Sequence, residues 1–180
     1  MVDRSNDRIS LRVAYLITGI HAVPGSNLLL LESSDEPDSV IPVVIGHREA
    51  EAIREGLTQN YKERPSPYDL FVNMVEIADQ EVVEVLIDKV KKGAYHAKIT
   101  IVVNDKKIQL DSRTSDAISI ALRTHSPFFT TREVFELSRR DKSQYAALIQ
   151  KQPKIANDEE DGSDFKDFLD EANLEELQEE

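Results

Sequence analysis

The chain predicts a single α+β domain, a twisted and largely antiparallel sheet packed with helices, followed by an acidic C-terminal tail. Three observations lead there. Tyr95, Ala97, Ile99, Ile101 and Val103 alternate strictly with their neighbours, which is the period of a half-buried strand. The segments after Gly46 and after Ser66 instead repeat apolar residues at helical spacing. After about Pro153 an acidic run replaces the balanced composition before it. Residues 1–153 are therefore read as the domain, and 154–180 as an acidic linker with the opening of a helical segment.

Leu11 to Ala22 reads as the first strand, with Leu11, Val13, Tyr15 and Ile17 at period two. Pro24-Gly25-Ser26-Asn27 turns the chain, and Leu28 to Glu32 forms the second strand. The polar stretch Ser33 to Ser39 leads into VIPVVIG at 40–46, apolar enough to be buried on both faces. His47 to about Tyr61 is helical, with Ala50, Ile53 and Leu57 on one face. Lys62 to Pro67 is a linker whose end starts the next helix: Ser66 as cap, Pro67 at the first position and Asp69 completing a capping box. In that helix Leu70, Phe71, Met74, Val75 and Ala78 form an apolar stripe, read as core packing.

Three strands follow. Glu81 to Lys91 places Val83, Val85 and Ile87 together, and Lys91-Lys92-Gly93 turns into the strand Tyr95 to Val103. Asn104-Asp105 signals a hairpin, and Lys107 to Asp111 closes the meander with Ile108 and Leu110 on one face. A polar turn then opens a helix over 116–124, and a short helix near Thr131 to Arg139 comes after Pro127-Phe128-Phe129.

At 180 residues the chain suffices for one domain with a proper core plus an appendage. It has no cysteine, so disulfides, thiolate catalysis and cysteine-based zinc sites are excluded. The N-terminus MVDRSNDRIS lacks the apolar centre of a signal peptide, and no run approaches the ~20 apolar residues that span a bilayer. No membrane association and a cytoplasmic address are the expectation. The formal charge is −12, but from Asn157 to Glu180 there are twelve acids and one Lys, a net of −11. The rest carries 22 acids against 21 Lys/Arg, so the domain neither demands nor forbids a phosphate-bearing ligand. Phe165, Phe168, Leu169, Leu174 and Leu177 stand at helical spacing in the tail, which makes 164–180 a candidate segment for a protein partner.

The densest chemistry lies in LDSRTSDAISIALR, Leu110 to Arg123. A strand ends on a carboxylate, a polar turn follows, and a helix begins at once, with Thr114 or Ser115 placed to cap it. Such a junction suits an anion, because uncapped backbone N–H groups point outward there. Asp111 and Asp116 flank the turn and can share a Mg²⁺ or Mn²⁺ ion, with Arg113 clamping a phosphate. The same residues also serve an ordinary helix start, with Asp116 on the helix dipole and Asp111 paired to Arg113. The histidines signal less. His47 and Glu51 fall at i, i+4, while His21, His96 and His125 read as structural or solvated.

Several blocks together resemble the bifunctional nuclease family: VIPVVIGHREAEAI at 40–53, RPSPYDLF at 64–71, Gly93-Ala94-Tyr95-His96, and IQLDSRTSDAISIALRTHSPFFTTREVF at 108–135. The resemblance covers roughly residues 9–137, and DSRTSDAISIALR is its most specific part. It implies a compact α+β domain, usually a homo-oligomer, linked to DNase and RNase activity in some members. Many members carry a C-terminal helical hairpin of the kind found in nucleotide-excision-repair proteins, and LEELQEE at 174–180 resembles its opening. Where the family usually reads RPLTHDL this chain has RPSPYDL, so its histidine is Tyr68 here. EAQAI is Glu49-Ala50-Glu51-Ala52-Ile53, and the aromatic pair after the glycine is Tyr95-His96 rather than Phe-Tyr.

The expectation is thus a nuclease acting on DNA or RNA phosphodiesters, with Asp111 and Asp116 as metal or base carboxylates. Arg113, Thr114 and Ser115 would bind phosphate, with Glu49 in support. The alternatives are a non-catalytic oligomeric binding module for a protein or nucleic acid, and a small-ligand sensor using the anion site at 111–116.

Overall fold

The computed structural model describes residues 7–18 and 25–151. His21 and the tail 154–180, with its partner segment and hairpin opening, lie outside these. Eight strands form one sheet: β1 (Arg8–Ile17), β2 (Ser26–Ser33), β3 (Ser39–Gly46), β4 (Glu81–Lys91), β5 (Ala94–Val103), β6 (Lys106–Arg113), β7 (Phe128–Thr131) and β8 (Arg140–Asp141). Five helices accompany them: α1 (His47–Thr58), α2 (Pro67–Ile77), α3 (Thr114–Thr124), α4 (Arg132–Ser138) and the single turn α5 (Ala146–Ile149), which follows a 3-10 turn at Lys142–Tyr145. The strand order is β6-β5-β4-β7-β1-β2-β3-β8. All neighbours are antiparallel except β4 and β7. The α+β class and the largely antiparallel sheet are as expected.

Two meanders, β1-β2-β3 and β4-β5-β6, are joined through β7, which pairs antiparallel with β1 and parallel with β4. The sequence does not announce a strand at Phe128–Thr131. Four residues are too few to display a period, although Phe128 and Thr130 are both buried and bind the halves together. The β4–β5 and β5–β6 turns both use two residues at positive φ, Lys92-Gly93 and Asn104-Asp105. That is the type I′ geometry whose twist matches the flanking strands.

Three expectations are corrected. Leu11, Val13, Tyr15 and Ile17 do not share a face, because Val13 pairs with Leu31 and Tyr15 with Leu30, leaving Ala14 as a bulge between them. The extra residue switches faces. Leu11 and Val13 enter the main core, whereas Tyr15 and Ile17 pack with Leu28, Leu30 and Val40 in a second cluster flanked by Tyr145 and Ile149. β3 is not buried on both faces along its length: Val40 and Ile41 are, but Val44 is 60% exposed. β3 has an outer partner only at Ser39 and Val40, where β8 joins it, which also explains how Pro42 is accommodated. The apolar stripe of α2 is only partly core. Phe71 and Val75 pack against it and Val72 is buried, but Leu70, Met74 and Ile77 are exposed, Met74 at 71% and Ile77 at 84%.

The main core lies between the sheet and the helices. Ala50 and Ile53 of α1, Ala117, Ile118, Ile120 and Ala121 of α3, and Val134 and Phe135 of α4 meet inward residues of β1 to β5. α1 and α3 approach so closely that a Cβ on Gly56 would lie 2.9 Å from Leu122 Cβ. This packing sets two helix starts side by side. α2 begins with the expected capping box, Ser66 Oγ accepting from Asp69 N–H and Asp69 accepting from Ser66 N–H.

Candidate functional site

Arg113 is both the last residue of β6 and the N-cap of α3. The expected side-chain cap is absent: neither Thr114 nor Ser115 bonds back to the helix start, and Arg113 makes no capping hydrogen bond either. α1 likewise begins at Gly46 without a side-chain cap. The first backbone N–H groups of both helices therefore carry their partial positive charge without a capping acceptor.

Arg113 gathers the carboxylates. Its Nε donates to Asp116 Oδ2 at 2.6 Å, its Nη2 to Asp116 Oδ1 at 2.9 Å, and its Nη1 to Glu49 Oε1 at 2.9 Å. Tyr68 Oη, from the first turn of α2, donates to Asp116 Oδ1 at 2.8 Å. Thus α1, α2 and α3 each place one side chain around a strand-end guanidinium. The two carboxylates hold the Arg113 pKa above its ordinary value, with Asp116 contributing most, so it is cationic at every accessible pH. The Tyr68 phenol is pushed up to about 12, first by burial and then by Asp116. At neutral pH it is a hydrogen-bond donor and not a base. Three of the five guanidinium N–H groups are used, which leaves two on a side chain that is 66% exposed.

Glu49 folds back over the start of α1. A Cβ on Gly46 would stand 2.5 Å from Glu49 Oε2, so glycine there makes room for the carboxylate. Beside it opens a cavity of about 460 Å³, lined by Gly46, Glu49, Arg113, Thr114 and Ser115 together with Val44, Tyr95 and Arg140. Thr114 is 3% exposed, and its Oγ1 has no hydrogen-bond partner. Among the described residues no carboxylate pairs with Arg140, whose Nη1 donates to the carbonyls of Ser138 and Arg139.

The structure therefore brings together Glu49, Arg113, Thr114, Ser115 and Asp116 and leaves Asp111 aside. Asp111 is exposed on β6 opposite Lys98 and joins neither Arg113 nor Asp116. Among the described residues no three His, Asp or Glu side chains gather in a metal-holding group. The donor set does not fit a dedicated divalent-ion site, because both Asp116 oxygens and one Glu49 oxygen already accept from Arg113. His47 is exposed, and Glu51 is engaged by Lys62, whose hydrogen bond lowers its pKa.

Tyr68, Arg140, Tyr95 and Gly46 are not site candidates on sequence grounds. For Tyr68 a signal existed, since it stands where the resembled family has histidine. Arg140 had none, because it reaches the cavity through a two-residue strand.

No helix among the described residues is long and apolar enough to cross a membrane. A bifunctional nuclease domain model matches residues 29–143, a span that holds Glu49, Tyr68, Arg113, Asp116 and Arg140. Two uncharacterized proteins of Mycobacterium tuberculosis, from strains CDC 1551 / Oshkosh and ATCC 25618 / H37Rv, are each similar to this chain. Each is 29% identical over 153 residues, covering 82% of this chain and 86% of the relative. With its cluster and most of the sheet inside the matched span, the chain belongs to the bifunctional nuclease domain family.

Proposed function

We propose that the Arg113 cluster binds a phosphate group of DNA or RNA and hydrolyses the phosphodiester. The observation that carries this is the position of Arg113: fixed by Asp116 and Glu49 at an uncapped helix N-terminus, with two N–H groups left over at the mouth of a cavity. Arginine geometry suits two oxygens of one phosphate, and the α3 N-terminus adds backbone donors. Both stabilise charge that grows on the equatorial oxygens as the bond to phosphorus breaks. In this reading Glu49, whose Oε2 Arg113 does not take, accepts the proton of the attacking water, and the departing sugar oxygen is protonated from solvent. Asp116 and Tyr68 position the guanidinium and need not touch substrate.

A Mg²⁺ or Mn²⁺ ion belongs to this reading only as an addition to be tested, and none of these steps runs through it. Purified protein incubated with labelled single-stranded DNA and RNA, in Mg²⁺, Mn²⁺ or EDTA, is expected to cleave at least one substrate. Arg113→Ala should lower the rate about 100-fold or more. Absence of cleavage in every condition, or an Asp116→Ala protein as active as the parent, overturns the assignment.

One observation favours a second reading, binding without turnover. Glu49, the carboxylate that catalysis would use, is already paired with Arg113 through its other oxygen. That reading expects phosphate compounds to raise the melting temperature with no product formed.

A further inference from the structure

We infer that the cavity beside Arg113 seats one unpaired nucleotide, so that the ligand is single-stranded nucleic acid and not duplex. The inference rests on the phosphate reading of Arg113 and names the substrate class for that site.

The cavity lining combines two cations with an apolar and aromatic surface. Arg113 and the buried Thr114 stand at the start of α3, where the Thr114 hydroxyl lacks any partner. Arg140 of β8 adds a second cation, whose charge no carboxylate offsets among the described residues. Tyr95, whose neighbour His96 pairs with Arg113 across β5 and β6, lines the same cavity with Val44 and Pro42 of β3. Val44 is a large apolar side chain left 60% exposed, which the fold alone does not require. Two cations and an aromatic, apolar surface lining one cavity suit the phosphates and the exposed base of one strand. The volume of about 460 Å³ falls in the range of roughly 300–1,000 Å³ typical of small-ligand pockets. A duplex cannot offer a base face to such a cavity, because its bases are stacked and only their edges and the phosphates reach a protein. An unpaired base, by contrast, can leave the stack and lie against an aromatic ring.

The test is fluorescence anisotropy on the full chain in EDTA, using a short labelled DNA strand of mixed sequence. The same sequence as a blunt duplex, and a strand of equal length built from abasic units, serve as competitors. The single strand should bind about tenfold or more tightly than either, the size of one base–aromatic contact. Tyr95→Ala should weaken the normal strand by about the same factor and leave the abasic strand unchanged, while Tyr95→Phe restores binding. Arg140→Ala should weaken both strands, since it acts on phosphate. Equal binding of strand and duplex, or a Tyr95→Ala loss of equal size on the abasic strand, overturns the inference. Arg113→Ala separates the two levels. If it lowers affinity for strand and duplex alike, and the parent protein does not distinguish them, the phosphate reading stands and the unpaired nucleotide falls. If no oligonucleotide binds, or Arg113→Ala changes nothing, both fall together.

Discussion

Two arginines show how the same side chain takes opposite roles according to burial. Arg123, 3% exposed at its side chain, donates to Asp69 at 2.6 Å, to Glu55 at 3.1 Å and to the carbonyls of Ala52 and Ser119. Its guanidinium lies 5.4 Å from the Tyr61 ring centroid and 5.3 Å from that of Tyr68. It ties α1, α2 and α3 together and spends four of its five N–H groups doing so. Arg123→Ala would strand two half-buried carboxylates and should cost about 3–5 kcal/mol in urea denaturation, with Arg123→Lys recovering only part because an ammonium lacks the planar fork. A Lys variant as stable as the parent would show that a single positive charge suffices and that the fork geometry does not matter. Arg113, exposed and with two N–H groups unused, has the greater capacity left for a ligand. Tyr68 between them offers a pH test. Its phenol is pushed from 10.0 up to about 12, so the fold favours the neutral form. The stability this contributes is fully present below pH 10 and is lost as pH rises through about 12. The melting temperature of the parent should therefore fall more steeply than that of Tyr68→Phe across this window. Tyr61 and Tyr145 are shifted upward too, but they are common to both proteins and cancel in the comparison. Identical slopes would show that Asp116 and burial do not hold the phenol as described.

At the scale of elements, α1 and α3 decide whether the cluster exists, because Glu49 and Asp116 reach Arg113 only when the two helices lie close. Gly56 permits that approach, since its Cβ would stand 2.9 Å from Leu122 Cβ, an atom anchored directly to the backbone. Gly→Ala inside a helix ordinarily stabilises by about 0.5–1 kcal/mol, while overpacking a tight contact costs about 1–3 kcal/mol. The second effect should win at this position. Gly56→Ala is expected to lower stability by about 1 kcal/mol and to weaken phosphate binding by moving Glu49 away from Arg113. A higher melting temperature in calorimetry would mean that the helices can separate at no cost. Much of this element layer was readable in the residues. The Ser66-Pro67-Asp69 start of α2 and the Asn104-Asp105 turn are local chemistry, and local chemistry is what a sequence displays. What stayed hidden depends on partners distant in the chain. The Ala14 bulge is defined only against β2, and β7 becomes a strand only because β1 and β4 flank it. The exposure of Met74 and Ile77 follows from how much of α2 the neighbouring elements cover, which periodicity does not contain.

Over the whole molecule, the sheet joins two meanders, and the cavity lies where β3 of one faces β5 and β6 of the other. For that reason Arg113 and Asp116 were legible as a site while Tyr95 and Arg140 were not. The first pair is three residues apart, whereas Arg140 comes from a strand brought near only by the complete topology, and Tyr95, though its neighbour His96 pairs with Arg113, lines a cavity only because β3 lies close. Charge is the other molecular property, and it divides along the chain: −11 over residues 157–180 against −1 for the remainder. A polyanion approaching the cavity at low salt is therefore expected to meet repulsion from the protein's own acidic segment. Truncation after Ala156 leaves the described core intact, since no described core residue lies beyond Ile149. At ~0.01 M salt, where the Debye length is about 30 Å, the truncated protein should bind a single-stranded oligonucleotide about tenfold more tightly than the full chain. Near ~1 M salt, where that length shrinks to about 3 Å, the two should converge. The midpoint of thermal unfolding should change little, because the effect acts on encounter and not on packing. Equal affinities at low salt would show that the acidic segment is held away from the cavity, and a difference that persists at high salt would point to direct contact in place of repulsion through solvent.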